Sequence, residues 1–90
     1  MTKVKILKVN KLKTDRDSSI SKYKISIELE TKNLIESYIS VSYKPIRCIS
    51  TGNVEHLLGH SIASQISIIV NKFDLGETLI FPIEIEEWEL

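Results

Sequence analysis

The chain has 90 residues, 42% of them hydrophobic and 27% charged, with three glycines, two prolines and one cysteine. That length closes one domain, residues 1–90, around a single core and leaves no room for a deep cleft between two lobes, which disfavours a stand-alone enzyme. Twelve cations balance twelve anions, so no bulk attraction to nucleic acid or anionic lipid is implied, and the lone Cys48 excludes a disulfide-stapled scaffold and points to a reducing, cytoplasmic setting.

The charge is unevenly placed. Residues 1–24 carry eight cations against two anions, and residues 25–90 carry four against ten. Residues 1–9 alternate lysine with aliphatics, the pattern of neither a signal peptide nor a membrane span.

Val4 and Ile6 alternate with Lys3 and Lys5, and Leu7 and Val9 continue one position out of phase. A first strand over about 3–12 with a bulge near Ile6 or Leu7 explains both halves, because one extra residue switches the face that side chains occupy. Residues 14–21 are polar, rich in turn formers, and read as a mobile loop. Tyr23, Ile25, Ile27 and Leu29 then alternate with polar residues, predicting a strand buried on one side. Lys32 and Asn33 make a turn, and Ile39, Val41 and Tyr43 form a third strand that Pro45 ends, since proline has no amide proton for the ladder.

After a connection over 46–52, Val54, Leu57, Leu58, Ile62, Ile66, Ile69, Val70 and Phe73 recur at steps of three and four. This spacing stacks them on one side of a single helix over 53–73. Asn53 is placed to cap it, Glu55 falls in its first turn, and Lys72 and Gly76 mark its end. The competing reading, a strand over 63–70, rests on the alternation of Ile66, Ile68 and Val70 and yields to the longer helical spacing. Leu79, Phe81, Ile83 and Ile85 predict a fourth strand in which Pro82 marks an edge or a bulge, and Trp88 and Leu90 fall out of its phase.

The expected fold is α+β, in the order β-β-β-α-β, with one helix packed on a four-stranded mixed sheet. Opposite charges at Lys3 and Lys5 and at Glu84 and Glu86 place the fourth strand beside the first, parallel to it, for a sheet order of 3-2-1-4.

For function, no catalytic, metal or cofactor motif stands out. His56 and His60 are one helical turn apart, but zinc needs a third and a fourth ligand, and only Cys48 or Glu55 is near in sequence; two exposed histidines are the simpler reading. Cys48 paired with a histidine as nucleophile and base lacks an orienting group and an oxyanion pocket, and reads as a small buried or loop cysteine.

The helix offers more. From Glu55 to Lys72 sixteen consecutive residues lack charge, and the side opposite the apolar stripe comprises His56, His60, Ala63, Ser64, Ser67 and Asn71. Gly59, Ala63 and Ser67 form a strip of small residues beside it. Charge depletion is a mark of interface centres, although a neutral serine-rich solvent face is the alternative. The acidic tail, where Glu86, Glu87 and Glu89 flank Trp88, is a second contact surface, with Trp88 as anchor for a basic partner or folded back on the core.

The expectation is a small non-catalytic domain that binds another protein or a second copy of itself, as inhibitors, immunity proteins and accessory subunits do, with no membrane and no small-molecule substrate. The alternative is a nucleic-acid-binding protein using Lys8, Lys11, Lys13, Arg16 and Lys22 of the first hairpin. The nearest aromatic, Tyr23, is assigned to the core and offers no stacking platform.

Overall fold

A computed structural model of the protein describes residues 3–12 and 19–87. Five strands and two helices follow one another as β1 (Lys3–Lys11), β2 (Ile20–Leu29), β3 (Leu34–Ser42), β4 (Cys48–Ser50), α1 (Val54–Leu58), α2 (His60–Asp74) and β5 (Ile83–Glu86). The sheet order is β4-β3-β2-β1-β5, and every pairing is antiparallel.

The first three strands form the expected meander. In β1 the register against β2 slips between Ile6 and Lys8, at the predicted bulge, so that Val4, Ile6 and Val9 all reach the core despite the change of phase. The turn at Lys32 takes a positive φ of 69°. The loop assigned to residues 14–21 lies outside the described residues up to position 18, and β2 already begins at Ile20.

The predicted mixed four-stranded sheet is corrected to an antiparallel five-stranded one. After β3 the chain first reverses and adds β4, with Val41 opposite Ile49. That extra reversal changes the direction in which the chain enters and leaves the helix. β5 therefore lies beside β1, as the charges suggested, yet runs antiparallel to it. Lys3 faces Glu86 and Lys5 faces Glu84, with Nζ to carboxylate distances of 3.8 and 3.7 Å. Only Ile83 and Ile85 of the expected fourth strand belong to β5, since the chain over 77–82 is irregular around Pro82.

The predicted single helix is corrected to two. Gly59 has φ 90° and ψ 166°, a conformation open to glycine, and it ends α1 and precedes α2. The break rotates the stripe. Leu57 is 59% exposed where a core position was expected, whereas Ala63, assigned to the outer side, is 2% exposed within the core. Asn53 occupies the cap position of α1 without a side-chain cap bond.

Ile62, Ala63, Ile66, Ile69 and Val70 of α2 pack against Ile6, Tyr23, Ile25, Ile27, Ile39 and Val41 of the sheet. Each large aliphatic buried this way contributes about 1.5–3 kcal/mol, so the seam between α2 and the sheet is the main source of stability. Gln65 adds a polar tie, its Nε2 donating to the Glu86 carbonyl at 2.7 Å.

Candidate interaction surfaces

The densest polar chemistry lies where the end of α2 meets the starts and ends of β2, β3 and β4. Asp74, its side chain 5% exposed, receives hydrogen bonds from the hydroxyl of Tyr23 and from that of Tyr43, the latter at 2.6 Å, both on Oδ1. Arg47 Nη2 reaches Oδ2 at 2.5 Å, and Nη1 donates to Asn71 Oδ1. The Tyr43 hydroxyl has one proton, given to Asp74, so the Ser21 hydroxyl at 3.0 Å serves as its donor. Tyr23 also meets Phe73 edge to face, ring centroids 5.7 Å apart. Tyrosines at a strand start and a strand end, an arginine in a hairpin and an aspartate closing a helix are brought together by the topology alone.

Burial alone would raise the Asp74 carboxyl, but the hydrogen bonds from Tyr23, Tyr43 and Arg47 and the charge of Arg47 outweigh it and hold it below the usual carboxylate range. Burial, followed by the bond to Asp74, pushes both tyrosine hydroxyls up. Near neutral pH the aspartate is thus a poor base and the tyrosines are poor acids. Every polar group is turned inward onto another, and the cluster reads as a clamp for α2. Sequence reasoning missed it because no local spacing links residues 21, 23, 43, 47, 71 and 74.

The expected contact residues are dispersed. His56 is exposed on α1 and His60 on α2, so the break at Gly59, itself exposed, removes the one-turn spacing that suggested a shared metal. His60 Nδ1 instead faces Glu55 at 3.4 Å. No three potential metal ligands cluster among the described residues. Ser64 and Ser67 are half-buried, and the Ser67 hydroxyl donates to the Ser64 carbonyl at 2.8 Å. Asn71, also half-buried, belongs to the clamp. The strip of small residues is corrected too, because Ala63 lies beneath it in the core. Glu86 is exposed beside Lys3, Glu87 is half-buried, and Trp88 and Glu89 lie outside the described residues. Cys48, expected in a loop or buried, is a free thiol exposed on β4.

What α2 turns outward is more apolar than expected. Ile68 is 48% exposed, Leu75 is exposed two turns further on, and His60, Ser64 and the exposed Lys72 share the side. A depression of about 440 Å³ lies at the other end of the sheet, but its rim is occupied by the Lys3–Glu86 and Lys5–Glu84 pairs. No helix among the described residues is long and apolar enough to cross a membrane. Compared with protein families, curated proteins and solved structures, the chain finds no match.

Proposed function

We propose that this chain is a small non-catalytic module that binds another protein, a separate partner or a second copy, through the outward side of α2. The observation that carries the reading is the exposed Ile68 on a helix side that holds no charge from His60 to Asn71 and only Lys72 beyond it, with Leu75 at its end and Leu57 exposed on α1. Solvated helices normally place charges there, and interface centres are depleted of them. Inhibitors, immunity proteins and accessory subunits work by such contacts. A reducing intracellular location belongs to the same reading and is supported by Cys48 being exposed and free.

Ala63 cannot probe this surface, since a charge there enters the core. Ile68→Arg can. The variant should keep the parent's circular dichroism and melting temperature while losing association. Light scattering reads a second copy, and retention of host proteins on the immobilised parent against the immobilised variant reads a separate partner. A parent that is monomeric and retains nothing that Ile68→Arg fails to retain would overturn the proposal.

A further inference from the structure

Both helices pack on one side of the sheet, and the register assigns the side chains of the other. Toward one end of this open face stand Glu84, Glu86, Glu28 and Glu36, with Lys3 and Lys5 paired to Glu86 and Glu84. Toward the other end the cross-strand rows are Asn10, Lys24 and Tyr38, then Lys22, Ser40 and Ser50, then Ile20, Ser42 and Cys48. These rows hold no carboxylate. The adjoining row is Lys8, Ser26 and Glu36, and Glu36 lies two residues before Tyr38 on the same strand face.

Tyr38 stands in the row that borders Glu36 and is 59% exposed. Its backbone is paired to Lys24 on one side, and on the other Gly52 comes so close that a Cβ there would lie 2.9 Å from the Tyr38 carbonyl oxygen. The ring therefore stands on a rigid base. Lys24 lies across the strand pair and Lys22 one step along it. Lys24 is shared with Glu36 at 3.1 Å, whereas Lys8 and Lys22 form no ion pair among the described residues.

We infer that this lysine-rich half of the open sheet face binds single-stranded nucleic acid, with Tyr38 stacking on a base and Lys8, Lys22 and Lys24 meeting phosphates. A flat exposed ring suits an unpaired base, and cations with hydroxyl and amide donors around it suit the strand that carries it. Three lysines against the single carboxylate of Glu36 favour a polyanion over a neutral or basic partner. One aromatic and three lysines imply modest affinity. The site is separate from the outward side of α2, and the inference does not rest on that reading.

Fluorescence anisotropy with a labelled oligothymidine at low salt tests it, with heparin as a polyanion that lacks bases. Binding should weaken with salt at a log–log slope of about −2 for three lysines, at roughly −0.7 per phosphate neutralised. Tyr38→Ala should weaken it about tenfold or more, while Tyr38→Phe, which keeps the ring, should bind as the parent does. Lys22→Gln should flatten the slope by about 0.7. Ile68→Arg, on the opposite side, should change nothing here. No binding at low salt, or binding matched by heparin and indifferent to Tyr38→Ala, would overturn the inference.

Discussion

At one end of the fold the carboxylate of Asp74 is 5% exposed and accepts from two tyrosines and an arginine, while at the β5 edge Glu84 and Glu86 each face a single lysine at 3.7 and 3.8 Å with both partners in water. Both are opposite charges brought together by the sheet, yet their physical weight differs. In water each ion is nearly as well solvated alone, so the edge pairs favour a neighbour and a register without adding much stability. At the end of α2 the carboxylate has exchanged water for three donors, and losing the donors leaves a buried charge without its partners.

The comparison breaks most readily at Asp74. Asp74→Ala removes the acceptor of two tyrosine hydroxyls and the partner of Arg47, which keeps Asn71 and water, and should cost about 1–3 kcal/mol, read by urea unfolding. A loss below about 1 kcal/mol would mean that the apolar seam alone seats the helix.

Titration sharpens the same contrast. Asp74 is held below its unfolded value of about 3.9, so its contribution is complete above that pH and fades as pH falls through the folded value. Tyr23 and Tyr43 are raised above an unfolded value of about 10, so theirs is complete below pH 10 and fades as pH rises further. Unfolding free energy measured against pH should therefore fall at both extremes. In Asp74→Asn the acid limb should be shallower, and an unchanged acid limb would assign it to other groups.

The smallest effect belongs to the edge. Glu84→Gln should change stability by no more than about 0.5 kcal/mol, and added salt should erase even that. A larger loss in chemical denaturation would show that β5 depends on its ion pairs.

Much of the architecture was legible locally. The bulge in β1, the one-sided burial of β2 and the helical nature of residues 60–74 each follow from a period of two or 3.6 written in neighbouring side chains. β4 escaped because three residues with one inward side chain, Ile49, carry no period. The break at Gly59 was visible as a glycine within a helical pattern, but the flanking apolar spacing concealed it and with it the exposure of Leu57, whereas Ala63 was misplaced although it precedes Ile66 by three and Val70 by seven on the core face. Of the contact surface, the uncharged run from His60 to Asn71 was legible, whereas the exposed Ile68 within it was not.

By itself the order of residues determined β1, β2, β3 and the helical form of residues 60–74, and that Glu84 and Glu86 would seek Lys3 and Lys5, because period and charge act between near neighbours. Tertiary structure alone decided the direction of β5, the exposure of Tyr38 and Ile68, and the meeting of Tyr23, Tyr43, Arg47 and Asp74. Those outcomes depend on how many times the chain reverses and on how far a helix is turned about its axis, and both are settled only when distant segments compete for the same buried space.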